Sequence, residues 1–321
     1  MIFVEILKNL FYVFIFPGLI FSIIFGLLLS GIDRKMVARM QRRIGPPIMQ
    51  PFYDILKLTG KERLIPRRAA KNTFILAPLI GLISVITISL FIPFYGMNFF
   101  PGEYGDIIVI LYLLTIPAVA LIIGGAASGS PYASIGISRE MVTMLSYEVP
   151  LVIILLAVGA KAGFSMQGNV TFSLKIIEEY QRIKGINMFN IYLIPAALAF
   201  LFIIPAEVGT VPFDIAEAET EICEGPLVEY SGIYLGIYKL TGAVKMFIMG
   251  NLFVSLFLGG INFGNIILNV LFNILLIILV IIISISFVRS IVGRIRIEQT
   301  LRFFWTIPTI LAAISLVFAY I

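Results

Sequence analysis

The chain has no histidine and one cysteine, Cys223, in 321 residues. No Cys or Cys/His cluster can therefore hold zinc, nickel or an iron–sulfur centre here. Asp and Glu remain possible ligands for hard cations, but the chain cannot relay electrons through a metal centre. A nucleophilic triad has no support either, because the many Ser and Thr residues have no histidine and no convincing lysine partner. Gly124-Gly125 and Gly129 form no phosphate loop, since no Gly-Lys-Ser/Thr follows. Charge is scarce too, at 13 % of residues. The excess of five positive charges does not point to nucleic acid in so apolar a chain, and its distribution about a membrane explains it better.

What the chain has is apolar length. Hydrophobic residues make up 60 %, against roughly 45–50 % in soluble domains, and the mean hydropathy is +1.06. The apolar runs do not alternate, which selects helices over a barrel. Eight spans are expected, near 10–32, 73–95, 106–127, 141–160, 189–208, 231–258, 266–288 and 302–320. No cleavage motif follows the first run, so it is expected to be retained. The expected architecture is all-α: a single polytopic membrane domain over 1–321, with about eight transmembrane helices and interfacial amphipathic helices.

Lys and Arg set the orientation. Eleven lie in loop 33–72, and Arg139, Arg289, Arg294, Arg296 and Arg302 fall on the same side. That makes sixteen, against five on the other side (Lys8, Lys161, Lys175, Arg182 and Lys184). Loops 33–72, 128–140, 209–230 and 289–301 are thus expected in the cytoplasm, with both termini outside the cell membrane. Residues 34–44 have an amphipathic period, with Arg34, Lys35, Arg39, Arg42 and Arg43 opposite Met36, Val37, Met40 and Ile44. Gly45-Pro46-Pro47 is expected to end that helix, and a second short one to start at Pro51. The basic face suits either headgroup anchoring or the docking of a partner.

The stretch 206–232 carries seven carboxylates and no Lys or Arg. If 212–224 is helical, Asp214, Glu217, Glu221 and Glu224 share a stripe, with Glu219 opposite. Like charges on a partly desolvated stripe titrate as a coupled set, which suits a proton relay. The plain alternative is a wet acidic loop. Glu148, before Pro150 in the fourth span, and Lys239 and Lys245 in the sixth are charges near bilayer depth, which usually face protein or a water-filled path. Interfacial placement of Glu148 and snorkelling of Lys239 are the alternatives.

Three stretches, DRKMVARMQRRIGP (33–46), PYASIGISREMVTMLSYEVP (131–150) and PFDIAEAETEICEGPLVEYSG (212–232), resemble NADH dehydrogenase subunit 1, the membrane-arm subunit beside the quinone site of respiratory complex I. RIEQTLRFFW (296–305) is similar to its final span entry. RIGPPIMQPFYDILKL (43–58) is several residues shorter than in quinone-reducing members. Lys239, Thr241, Gly242 and Lys245 stand where those members carry a further glutamate. Both details, and the style of EGPLVEYSG (224–232), look more like ferredoxin-dependent membrane-bound hydrogenases.

The resemblance implies a subunit that links a peripheral hydrogenase-like module and iron–sulfur subunits to antiporter-like membrane subunits. Partners would carry the iron–sulfur clusters and the NiFe-type centre, and this chain no cofactor. It implies a buried carboxylate path through Glu148, Glu207, Asp214, Glu217, Glu219 and Glu221, and a basic loop, Arg34, Arg39, Arg42 and Arg43, that contacts the peripheral module. Lys239 and Lys245 join the path by their depth. The same role in a sulfur-reducing complex or a quinone-reducing complex I is the alternative. A stand-alone transporter fits poorly, because the acidic residues gather at one membrane face.

Overall fold

A computed structural model describes residues 10–94, 105–166, 168–261 and 263–320, without the side chains of 219 and 220. Among these the chain is helical, with no strand. The helices are α1 (Leu19–Met40), α2 (Gln50–Thr59), α3 (Lys71–Phe91), α4 (Ile107–Ser128), α5 (Pro131–Met166) and α6 (Leu174–Lys184). Then follow α7 (Ile194–Val208), a single turn α8 (Glu219–Ile222) and α9 (Gly232–Phe257). Finally α10 (Ile266–Ile281) runs through a π turn, Ile282–Ser286, into α11 (Phe287–Ile291), and α12 (Ile297–Ala319) closes the bundle.

Among the described residues, seven helical stretches are long and apolar enough to cross a membrane. The expected fifth span is shorter. Its helix, α7, has 15 residues, or about 23 Å at the α-helical rise, less than a bilayer core of about 30 Å. Three further expectations are corrected. Residues 131–140 are not loop, because α5 starts at Pro131 and runs unbroken for 36 residues. The basic segment from Arg34 is not a separate interfacial helix ended by Gly45-Pro46-Pro47. Its helix continues the first span and stops at Met40. The acidic stretch after Pro212 is not a helix either, as described below. The short helix at Pro51 forms as expected, with Pro51 in its first turn, where a missing N–H costs little.

Helix α9 is the centre of the bundle. In its most apolar window 83 % of residues are buried, against 22 % in α12 and 28 % along Ile266–Ile291. Glycine permits this packing: a Cβ at Gly26 of α1 would lie 2.6 Å from the Ala243 carbonyl oxygen. Phe200, Phe253 and Phe257 pack ring against ring at the C-terminal end of α9. Pairs α3 with α4 and α5 with α12 pack along their lengths. The charged residues of α5, α7 and α9 are therefore held on elements too well packed to drift.

Candidate functional site

A cavity of about 400 Å³ opens among α1, α5, α7 and α9 and the segment 209–217. Six carboxylates and five cations line it. Helix α1 contributes Asp33 and Arg34, α5 Glu140 and α7 Glu207, while α9 contributes Lys239 and Lys245. Asp214, Glu217 and Glu224 come from the segment between α7 and α9, with Arg289 and Arg294 opposite.

Gly209, left-handed at φ 72°, ends α7 and turns the chain into this segment. Residues 210–218 then run without a helix. Tertiary contacts override the period that pattern suggested. Arg294 grips Asp214 through Nε at 3.0 Å and Nη2 at 2.8 Å, the Ile295 N–H donates to the Pro212 carbonyl, and Phe213, Ile215 and Ala216 are buried. The expected stripe therefore does not exist, and its members part. Asp214 is forked by Arg294, Glu217 faces the cavity, and Glu221 turns outward to Arg139 at 2.6 Å. Cys223 and Glu224 follow with positive φ, 51° and 67°, rare for residues with a Cβ, and Glu224 lines the cavity. The side chain of Glu219 lies outside the described residues.

Deepest in the site, Glu207 and Lys245 form an ion pair at 2.7 Å with side chains 3 % and 9 % exposed. Tyr147 stands beside Glu207. Glu140 on α5 feels the charges of both partners. Two turns further along α5, half-buried Glu148 is coupled to the same pair, although it does not line the cavity. Glu217 lines the cavity. Its side chain is exposed to the cavity, yet the surrounding protein, then the neighbouring charges of Glu140, Asp214 and Glu224, push its carboxyl up to about 7, against a weaker pull from Lys239. Lys239 is exposed and lines the cavity. Hydrogen bonding and charge from Arg139 hold the Glu221 carboxyl below its usual range.

The arginines divide likewise. All four are exposed, but Arg34 binds Asp54 at 3.0 Å, whereas Arg39, Arg42 and Arg43 lie at the end of α1. Arg43 donates to Gln41, which in turn reaches the Ser290 carbonyl at 3.3 Å.

Sequence reasoning misses two members of the site. Asp33 is 1 % exposed and accepts from Ser286 Oγ and Arg289, both at 2.7 Å. The π turn ends at Ser286, three residues before Arg289, and no sequence signal announces it. Glu140 falls in a stretch that composition reads as a loop. Extending the helix back to Pro131 would have set it two turns before Glu148 on the same element.

The model of the family described as NADH dehydrogenase matches residues 13–320. The chain belongs to that family. It is 33 % identical to the H-type subunit of the NADH-quinone oxidoreductase of Thermomicrobium roseum, over 75 % of this chain and 76 % of that one. It is 35 % identical to hydrogenase-4 component C of Escherichia coli, covering 72 % and 70 % of the two chains. Among solved structures it is similar to a chain of the membrane-bound sulfane sulfur reductase, an archaeal respiratory membrane complex. The TM-score there is 0.87 at 33 % identity, covering 98 % of this chain and 99 % of that one. This is a multi-pass membrane subunit of the complex I-related type.

Proposed function

We propose that the chain is the energy-coupling subunit of a ferredoxin-dependent membrane-bound hydrogenase complex in the cell membrane, with both termini outside. It relays protons between a peripheral redox module and antiporter-like membrane subunits. The observation that carries the relay is the run of carboxylates from cavity water inward: Glu217, Glu140, then Glu207 with Lys245, then Glu148. Each can gain and lose a proton, and Lys245 is a cation that can do so too. Lys239 tunes Glu217 at the entrance. Asp214 and Glu221 are fastened by arginines, which stay protonated, and serve as anchors. Glu219 keeps its place in the proposal through its motif alone. Arg39, Arg42 and Arg43 dock the peripheral module, with Arg34 holding the base of that loop through Asp54.

The hydrogenase reading rests on the relatives from hydrogenase-4 and formate hydrogenlyase together with the short loop after Arg43. A sulfur-reducing peripheral module is the second reading, favoured by the near-complete match to the sulfane sulfur reductase chain. In both, iron–sulfur clusters and any NiFe-type centre belong to partner chains.

Purifying the complex through a tag on this chain separates the readings. Reduced ferredoxin should drive hydrogen evolution, and a complex that instead reduces sulfane sulfur without evolving hydrogen decides for the second. In sealed vesicles Glu148→Gln and Glu217→Gln should stop ferredoxin-driven ion uptake while dye-linked activity of the peripheral module persists. Normal uptake in both variants would refute the relay.

A further inference from the structure

The chain reverses at the end of α1. Arg42 sits in the left-handed region at φ 57°, and the Arg43 N–H donates back to the Ala38 carbonyl at 2.7 Å. Residues 43–46 then fold against the last turns of the helix, so closely that a Cβ on Gly45 would lie 2.7 Å from the Ala38 Cβ. Gln41 Nε2 ties this turn to the Ser290 carbonyl of α11 at 3.3 Å. A second cavity, of about 270 Å³, lies here. Its lining includes Val37, Ile44 and Pro46 and three arginines, Arg34, Arg43 and Arg289.

Among the described residues no carboxylate lines this cavity. Arg34 binds Asp54 and Arg289 binds Asp33, whereas the Arg43 guanidinium donates to the neutral Gln41. A guanidinium has five N–H donors, and each of the three spends one terminal nitrogen on these acceptors. Donors and net positive charge therefore remain for an anion, and the oxygens of a phosphate match them.

Depth and the neighbouring surface say which anion. The apolar run of α1 ends at Ile32. Arg34 to Ala38 follow about 3–9 Å further along the helix, and the headgroup layer beyond a bilayer core is about 5–8 Å thick. Leu275, Leu279, Ile283, Phe287 and Ile291, every fourth residue along α10, the π turn and α11, are exposed. That stripe gives an acyl chain a path to the element that carries Arg289. A free phosphate or an acidic side chain would use the arginines alone, whereas a phospholipid uses both features, and basic pockets between spans hold anionic headgroups. We propose that the cavity of Arg34, Arg43 and Arg289 holds the phosphate of one anionic phospholipid. This goes beyond the docking role given to Arg43, and its test leaves the peripheral module out, so the two can fail separately.

The full chain is purified in a neutral detergent, stripped of lipid and titrated at fixed ionic strength with phosphatidylglycerol, phosphatidylcholine or inorganic phosphate. Phosphatidylglycerol should raise the melting temperature in a saturable way, and native mass spectrometry should find one molecule retained per chain. Phosphatidylcholine, with no net charge, and phosphate, with no acyl chain, should each fall short of it. Arg43→Gln is the variant of choice, because Arg34 and Arg289 also balance carboxylates. It should raise the half-saturating phosphatidylglycerol concentration about tenfold, the worth of one charge-assisted hydrogen bond. Arg67→Gln removes the same charge from an exposed arginine that does not line the cavity and should leave that concentration unchanged. Equal weakening in both variants would overturn the site in favour of diffuse surface attraction. Equal gain from both lipids would overturn it in favour of general solvation, and phosphate matching phosphatidylglycerol in favour of a free anion. No gain from phosphatidylglycerol would overturn it too and leave the arginines to an acidic side chain of a partner protein.

Discussion

The mouth and the floor of the charged cavity are neutralised by different cations. At the mouth Asp214 is held by Arg294 and Asp33 by Arg289, and outside the cavity Glu221 is held by Arg139, each pair with one side chain at least 26 % exposed. On the floor Glu207 is held by Lys245, and both are almost fully buried. Arginine does not lose its proton in a protein, so in the proposed relay the carboxylates it grips serve as anchors. A buried lysine titrates readily. In the proposed relay the floor pair supplies a cation that can release a proton, and the mouth pairs do not. Glu217 lies between them, gripped by no arginine among the described residues and raised to about 7.

That contrast breaks first at the floor. Lys245→Met leaves Glu207 buried without its cation, which costs about 3–5 kcal/mol. Adding Glu207→Gln should recover most of that loss, because a neutral amide no longer needs a cation. Melting of the single and double variants in detergent measures both, and equal losses would show that the pair is not coupled. Ion uptake should be lost in the single and the double variant alike, because stability returns but titration does not.

Glu217→Gln comes next. Ferredoxin-driven uptake should fall by about a hundredfold, the low end for losing a positioned proton carrier, with folding intact. Its pH signature follows from linkage. The folded carboxyl titrates near 7 and its ordinary value is 4.5, so between those values the folded chain binds more protons than the unfolded one. Stability from this group is complete below about 4.5 and declines as pH rises to about 7. Glu217→Gln should flatten the melting temperature across that window. An unchanged slope would mean that Glu217 is ordinarily solvated.

How much of this is readable from sequence depends on which interactions are local. Span composition is local, and α3, α4, α9 and α10 begin within two residues of the expected positions. Lys245 and Glu148 stand out because charge inside an apolar run is a local anomaly, and Glu207 is reached through its motif. The path of 210–218 is not local. It is set by Arg294, eighty residues away, and no helical period could reveal that. The same holds for Asp33, whose partners Ser286 and Arg289 are more than 250 residues distant. Helix α6 is not foreseen either, because its 11 residues are too few and too polar to resemble a span.

A smaller effect is expected at the mouth. Asp214→Asn keeps the shape of the side chain but removes the charge that Arg294 forks. Because the arginine is a third exposed, water replaces much of what is lost, and the cost should be about 1 kcal/mol. Uptake should remain close to wild type, since an anion locked to arginine was not carrying protons. Loss of uptake at intact stability would return Asp214 to the relay.

The smallest effect belongs to Glu221. Its side chain is 59 % exposed and meets Arg139 from outside the bundle. Exposed pairs are screened by salt and contribute little, so Glu221→Gln should melt with the wild type at physiological ionic strength. The same substitution tests the comparison most sharply, because Glu221 and Glu217 stand four residues apart in one acidic stretch. If the cation and the surroundings decide the role, Glu221→Gln keeps full ion uptake while Glu217→Gln loses it. If position in the acidic stretch decides, the two variants fail together, and the distinction between arginine-held and titratable carboxylates falls with them.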